Sequence, residues 1–397
     1  MVDLRCGEGS VVAEGEASPD VHYVHGLGTA PQQSDWPALC ESELSALLEQ
    51  FYDVGALREI SWHSPRPFSS AARIKTTKGV FFMKRHAAAL RSQEDILEEH
   101  RFIRFLAGKQ IPVVRLVPSR NGETALALHR WTYELHYMGR GEDVYRDHTS
   151  WTPFIRWEHA YQAGEMLARL HGASYLYGAP ARSTRLLITN ARLFGQVDPM
   201  AALERAVVEQ PAVGEYLDQH MWRTDVLERV VQPFHVAAYQ ALQRGPVVWG
   251  HGDWHGSNAL WSSAGGDAQM STVLDFGLAD RSSAFLDVAV ALERSMVSWL
   301  DMEGGQEPVA QLEHVTAFLR GYAGVSGWGD AECSAVADVL PIAHADFSVS
   351  EIDFFYGILK NIDNADLAYQ GYLLGHADWF QSSEGKRLLR HIRQVNL

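Results

Sequence analysis

Cysteine is scarce in this chain: three among 397 residues, at Cys6, Cys40 and Cys333. They are far apart, odd in number and without a CxxC spacing. No disulfide framework is predicted, and a reducing, cytoplasmic setting is expected. Positive charge is also short, with 34 Lys and Arg against 49 Asp and Glu and a formal net charge of -15. Nucleic-acid binders carry a basic face, so nucleic acid is not expected as a partner, whereas a small cationic ligand is compatible. No apolar run approaches the roughly 18 residues of a bilayer span, and no membrane partner is expected. The opening stretch MVDLRCGEGSVVAEGEASPD has no apolar core behind a basic start, so it does not read as a secretory signal. Internal repeats and low-complexity tracts are lacking too.

What remains is an ordinary globular composition, 46% hydrophobic and 21% charged. The length exceeds what one core usually serves, which predicts two lobes. Residues 1–35, rich in Gly, Ala, Ser and acidic groups, read as an irregular arm. Leu44 to Phe51 reads as a short helix. The alternating runs SSAARIKTT and GVFFMKRH, joined at Thr77-Lys78-Gly79, predict a hairpin. SQEDILEEHRFIRFLAGKQ carries Ile96, Phe102, Ile103 and Leu106 at helical spacing. Two further strand-like runs flank Asn121-Gly122, a hairpin dipeptide. Residues 36–131 thus predict a small β-rich lobe, and residues 132–397 a larger, mainly helical one. The helical pattern HAYQAGEMLARLHGAS puts small residues at Ala160, Ala163, Gly164 and Ala168.

One β interruption stands out in the second lobe. VVWGHGDWHGSNALW (Val247 to Trp261) packs His251, Asp253, His255, Ser257 and Asn258 between two apolar runs, and VLDFG follows with Asp275 at a strand end. A hairpin bounded by such loops would bring Asp253, Asn258 and Asp275 to one edge. Phosphoryl transfer asks for that set: a carboxylate to orient the attacking hydroxyl, and an amide oxygen and a second carboxylate to hold Mg²⁺.

HGDWHGSN followed by VLDFG resembles the catalytic and metal loops of the aminoglycoside phosphotransferase and choline kinase-like family, relatives of protein kinases. The family pattern is H-G-D, four residues, N, then an apolar strand ending in D-x-G, and every fixed position matches. SSAGGDAQM reads as a turn insertion, and Gly256 stands where the family usually has Pro. GEMLARLHGAS and AFLDVAVAL, with Asp287, resemble the family's flanking helices. The resemblance spans about residues 60–300. It implies an α+β, two-lobed protein-kinase-like fold with ATP or GTP between the lobes. It implies that Asp253 orients the acceptor hydroxyl and that Asn258 and Asp275 hold Mg²⁺. A lysine on an inner strand is also required, with a helix glutamate to hold it. Lys84 fits the first. Glu99 fits the second better than Glu94 or Glu98, because it shares a helix face with Phe102, Ile103 and Leu106. The loop SPRPFSSA sits where the family covers the phosphates and offers Ser69 and Ser70. Leu128, His129 and Trp131 are expected at the lobe connector, against the nucleotide base.

Two other classes stay open on the sequence. His251, Asp253 and His255 could ligate zinc in a metal-dependent hydrolase, and a kinase-like chain can also bind without catalysis. Within the fold, a protein Ser/Thr kinase is the alternative to a small-molecule kinase. DFGLAD runs straight towards the helical FLDVAVAL and leaves little room for a peptide platform, which favours a small-molecule acceptor with a hydroxyl. Met138–Phe154 and the acidic segment Asp346–Phe380 are expected to shape its pocket. The carboxylates Asp346, Glu351, Asp353, Asp363, Asp366 and Asp378 suit either a cationic acceptor or a solvated face.

Overall fold

The computed structural model describes residues 23–25, 28 and 30–397. Two compact units emerge, Met1–Arg101 with Val114–Gly139, and Phe102–Val113 with Arg140–Leu397. The boundary expected after Trp131 falls inside a strand, because that strand completes the sheet of the first unit. Most of the expected arm lies outside the described residues. Its described part includes a short antiparallel pair, β1 (Tyr23–His25) on β2 (Pro31–Gln33).

The first unit is built on one antiparallel sheet. Its strands are β3 (Leu57–His63), β4 (Ser70–Thr76), β5 (Val80–Ala87), β6 (Ala125–Leu128) and β7 (Trp131–Tyr137), in the order β3-β4-β5-β7-β6. The β4–β5 hairpin turns at the expected Thr77-Lys78-Gly79, where the Thr76 hydroxyl accepts from the backbone N–H of Lys78 and Gly79. Helix α1 (Glu41–Leu48) covers one sheet face. Its Leu44, Leu47 and Leu48 pack with Ile74, Phe81, Met83 and Leu135 into an apolar core. Strand alternation sends Phe82, Lys84 and His86 to the opposite face. Helix α2 (Gln93–Gly108) occupies the predicted helical run.

The second predicted hairpin is placed differently. Asn121-Gly122 does make a turn, closed by Gly122 N–H to Ser119 O. The run before it meets β7 only through an isolated bridge, Leu116 to His136. The true hairpin joins β6 to β7 over His129-Arg130, with His129 in the left-handed region at φ 54°.

In the second unit, α3 (Trp157–Ser174) packs along α9 (Leu312–Ser326). A Cβ on Gly164 would sit 2.1 Å from Phe318 O, which explains the small residues along α3. Between these lie α4 (Pro199–Glu209), α5 (Pro211–Leu217), α6 (Trp222–Val226), α7 (Gln232–Arg244) and α8 (Ala284–Met296). After α9 come α10 (Asp330–Val339), α11 (Ala345–Ile352), α12 (Ile362–Asp366), α13 (His376–Gln381) and α14 (Ser383–Arg393). Two short antiparallel pairs interrupt the helices: β8 (Val247–Trp249) with β11 (Arg281–Ser283), and β9 (Ala259–Trp261) with β10 (Met270–Val273). The α+β class is thus as the sequence predicts. Among the described residues, no helix is long and apolar enough to cross a membrane.

Candidate active site

The loop between β8 and β9 is held by one buried carboxylate. Asp287, in the first turn of α8, accepts the backbone N–H of His251 at 2.8 Å and of Gly252 at 2.7 Å. It also takes His171 Nε2 at 2.8 Å, and His171 Nδ1 meets the Tyr322 hydroxyl at 2.8 Å. Burial pushes the Asp287 carboxyl up, but His171, His251 and the Gly252 N–H outweigh it and hold it below its ordinary value. His251 lies flat in the loop with both ring nitrogens in use. Nε2 donates to Leu274 O at 2.8 Å, and Nδ1 accepts from Asp253 N at 3.2 Å. Burial holds this ring neutral, against the pull of Asp287. With both nitrogens engaged, His251 has no lone pair for a metal, and the His251/Asp253/His255 zinc site of the hydrolase reading falls away.

Around that frame the predicted polar residues converge. Asn258 Nδ2 donates to Asp253 O and to Asp253 Oδ2, both at 2.9 Å. Both amide hydrogens are thereby spent, and Oδ1 is the oxygen left to the amide. Leu274 N–H donates to Asn258 O at 2.9 Å, so the residue before Asp275 is tied to the Asn258 backbone. Asp275 itself is exposed and takes φ 53°, an unusual conformation for a residue with a Cβ. Asp253, Asn258 and Asp275 are thus gathered by one hairpin and its loops.

Arg294 is a component that sequence reasoning missed. It lies on α8, two turns beyond Asp287, only 1% exposed, and its Nη1 donates to Asp253 Oδ1. Trp151 and Phe347 flank the guanidinium, with ring centroids 5.2 and 5.1 Å from it. Its seven-residue spacing from Asp287, on one helix face, is the signal that could have found it. Gly256 is explained as well. A Cβ there would lie 2.7 Å from the Tyr145 ring, whose hydroxyl is bonded to His159 Nδ1 at 2.8 Å. Tyr145 and Trp151 both belong to Met138–Phe154, so that segment does pack on the loop.

The first unit carries Lys84 on the face away from α1. One carboxylate at ion-pair distance is Glu134, directly across on β7, with its Oε1 3.9 Å from Nζ. Glu99, chosen on helix geometry, is buried on α2 and its charge acts on His86. Glu134 is fully buried among three imidazoles: His86 Nε2 at 2.8 Å, His100 Nε2 at 2.7 Å and His136 Nε2 at 2.6 Å. Burial raises its carboxyl, yet the imidazoles reverse that and hold it well below the carboxylate range. The simplest sequence signal was the register, since Lys84 and Glu134 face each other once the sheet order is known.

Other expected nucleotide contacts are not placed as read. Leu128, His129 and Trp131 form the β6–β7 hairpin end, and the link to the second unit follows at Gly139. Trp131 lies on the α1 side, 4.3 Å from the Arg85 guanidinium, on the face opposite Lys84. Ser70 is buried at the start of β4, where its hydroxyl donates to Pro37 O at 2.8 Å, so that hydrogen is already engaged. Ser69 stays in the β3–β4 loop. In the acidic segment, Asp346 accepts Leu193 N at 2.7 Å and Phe194 N at 2.9 Å, and Asp366 accepts the Tyr216 hydroxyl at 2.7 Å. Asp378 binds Arg229 Nε at 3.2 Å, and Glu351 faces His344 Nε2 at 3.4 Å. Four of the six carboxylates therefore hold the fold together, which removes most of the support for a cationic pocket.

The sequence pattern of the family described as "Phosphotransferase enzyme family" matches residues 68–328. Two solved structures resemble about nine-tenths of the chain. One is the amicoumacin kinase hAmiN in complex with AMP-PNP, Ca²⁺ and Ami, with TM-score 0.53 and 16% identity, covering 90% of this chain and 93% of that one. The other is a microcompartment-associated aminopropanol kinase, with TM-score 0.53 and 15% identity, covering 89% and 99%. At these identities the likeness is one of fold. No curated protein matches the chain.

Proposed function

The chain belongs to the phosphotransferase enzyme family, and from that premise we propose that it transfers the γ-phosphoryl group of ATP or GTP to a hydroxyl of a small molecule. The observation that carries this reading is the clamp of Asn258 on Asp253, with Asp275 tied on by the next strand. Asp253 offers its carboxylate to the acceptor hydroxyl. Oδ1 is steadied by Arg294, with His255 Nε2 3.5 Å away, and Oδ2 by Asn258, which leaves Oδ2 a second lone pair for a substrate proton. The acceptor oxygen bonds to the γ-phosphorus as the bond to the β-phosphate oxygen breaks. The hydroxyl proton passes to Asp253 and the nucleoside diphosphate leaves. Lys84 meets nucleotide phosphates, with Glu134 in the role first given to Glu99. Ser69 remains a candidate phosphate donor in the β3–β4 loop.

Asn258 Oδ1 and the Asp275 carboxylate are hard oxygen donors, the set that fits Mg²⁺. When bound, that ion neutralises phosphate charge. The protein contributes position and fixed charge, which is most of what this reaction requires.

A small acceptor is favoured over a protein because only β11 separates Asp280 from α8, with no segment to seat a peptide. Both structures named above are of small-molecule kinases, and only that class is carried over. A cavity of about 420 Å³, lined by Arg185, Asn190, Arg192, Arg205, Asp346 and Asp353, offers room of ligand size in the second unit. Thr189, in the segment that walls it, bonds Gly252 O at 2.7 Å in the catalytic loop.

The test is phosphate transfer, scored by mass, from ATP or GTP with Mg²⁺ to a panel of aminoglycosides, amino-sugars, amino-alcohols, nucleosides and a generic protein. Asp253→Asn should lower kcat by about 10²–10⁴-fold, as for a lost general base. Undiminished turnover in that variant would remove Asp253 from the mechanism, and a wild-type chain that binds no nucleotide would remove the whole reading.

A further inference from the structure

A second polar cluster sits in the interior of the second unit, on side chains that the phosphotransfer mechanism does not use. Glu293 of α8, His344 at the start of α11 and His376 at the start of α13 are 1%, 4% and 2% exposed. Their three ligand atoms all lie within 4.8 Å of one another. Glu293 Oε1 is 3.1 Å from His376 Nδ1 and 3.4 Å from His344 Nδ1.

These contacts are not hydrogen bonds. Both Glu293 oxygens and His376 Nδ1 are buried without a hydrogen-bond partner. Stranding a carboxylate and an imidazole nitrogen in this way is costly, and native interiors seldom do it. The distances have a different meaning for a metal. Ligands about 2.0–2.1 Å from a tetrahedral zinc ion stand about 3.3 Å from each other. The other His/Glu group, His100, Glu134 and His136, makes the contrast. Its atoms meet at 2.6–2.7 Å as hydrogen bonds and leave no such gap.

The surroundings fit as well. His344 turns its far nitrogen, Nε2, to Glu351 Oε2 at 3.4 Å, the carboxylate–histidine arrangement that orients a metal ligand. The His376 ring is stacked on Trp299 at 3.7 Å, which fixes its plane. We propose that Glu293, His344 and His376 form a structural site for a divalent zinc-type cation. Two imidazoles and a carboxylate suit zinc, and the second oxygen of Glu293, which has no hydrogen bond and lies 3.9 Å from Arg294 Nε, can complete the coordination. The ion would pin α8 to the starts of α11 and α13. The next residue of α8, Arg294, is the one that holds Asp253, so the site braces that carboxylate from behind. This inference does not depend on the phosphotransfer reading.

The experiment measures metal in the full chain, expressed with added zinc and purified without a metal-affinity step. About one zinc per chain should survive dialysis, and a strong chelator should remove it and lower Tm. Glu293→Gln and His376→Gln, if folded by circular dichroism, should fall to under about a tenth of an equivalent. The cobalt-substituted wild type should show the intense visible bands of a tetrahedral ion, a readout that needs no variant. Three results would overturn the proposal. One is a wild type without zinc whose Tm ignores the chelator, leaving the group as a buried ion pair. Another is zinc retained in both variants but lost in His136→Gln. The third is a weak, octahedral cobalt spectrum.

Discussion

Replacing Asp287 by Asn tests whether one carboxylate holds the catalytic loop. The side chain keeps its size but loses its charge and one acceptor atom. In the wild type its two oxygens take three donors at 2.7–2.8 Å, two of them backbone N–H groups in the loop itself. Whichever oxygen becomes an amide, at least one buried N–H then faces another N–H. A hydrogen bond to a charged group is worth about 1.5–3 kcal/mol, and leaving its buried donor unpaired costs about 1–3 kcal/mol more. The sum, about 2.5–6 kcal/mol, is a large part of the 5–15 kcal/mol that a typical domain has. Urea unfolding read by tryptophan fluorescence would measure it, because Trp254 and Trp261 are buried in and beside the loop.

The pH dependence gives a second, independent reading. Asp287 is held below its ordinary value in the folded chain. Its contribution is therefore fully present above about pH 4 and lost as pH falls through the lower, folded value. His251 acts in a higher window. Its ring is held neutral, so below about pH 6.5 the unfolded chain binds a proton that the folded chain refuses, and stability falls there too. Asp287→Asn should remove only the lower part of the acid limb. A variant within about 1 kcal/mol of wild type, with an unchanged acid limb, would refute the brace.

Three further outcomes follow from the site. Asp275→Ala should abolish Mg²⁺-dependent nucleotide binding while leaving the fold intact, since the side chain is exposed; titration calorimetry with and without Mg²⁺ checks this. Glu134→Gln should weaken nucleotide binding about tenfold or more, because it removes the charge opposite Lys84, and Glu99→Gln should do so less; equal effects would restore Glu99 to the role. Gly256→Ala should cost about 1–3 kcal/mol through its clash with Tyr145, and Tyr145→Phe should not relieve it, since the ring and not the hydroxyl is in the way; thermal melts of both variants and their combination decide the point.

The grouping of the candidate residues was legible in the sequence because it is local. Asp253 and Asn258 sit five residues apart on one loop, and Asp275 ends the strand that returns beside them. Short-range turn chemistry was enough to bring those three together. Lys84 was legible for the same kind of reason, since period-2 alternation fixes its face. Ser70 and Trp131 failed because their role depends on packing against α1 and Arg85, which no spacing within β4 or β7 encodes. His129 failed because the hairpin was placed one turn too early, at Asn121-Gly122, where the stronger turn dipeptide lies. The actual hairpin forces a left-handed conformation on a histidine, which propensity alone would not choose.

Arg294 and Glu134 were missed for a deeper reason, since the spacing and the register that mark them gain meaning only once their partners are placed. Each is a charged residue inside an apolar run, and sequence patterning treats a buried charge as an error unless its partner is known. Arg294 ends VAVALER, a pattern that reads as plain core helix. Its partners are Asp253, forty-one residues earlier, and the rings of Trp151 and Phe347. Glu134 lies within WTYELHY and meets histidines from β5, α2 and its own strand. A lone buried charge would be destabilising by several kcal/mol, so its presence in an apolar run predicts that partners exist. It does not say where. That inference, run in reverse on Glu293, is why two oxygens without a hydrogen bond point to an ion and not to a packing flaw.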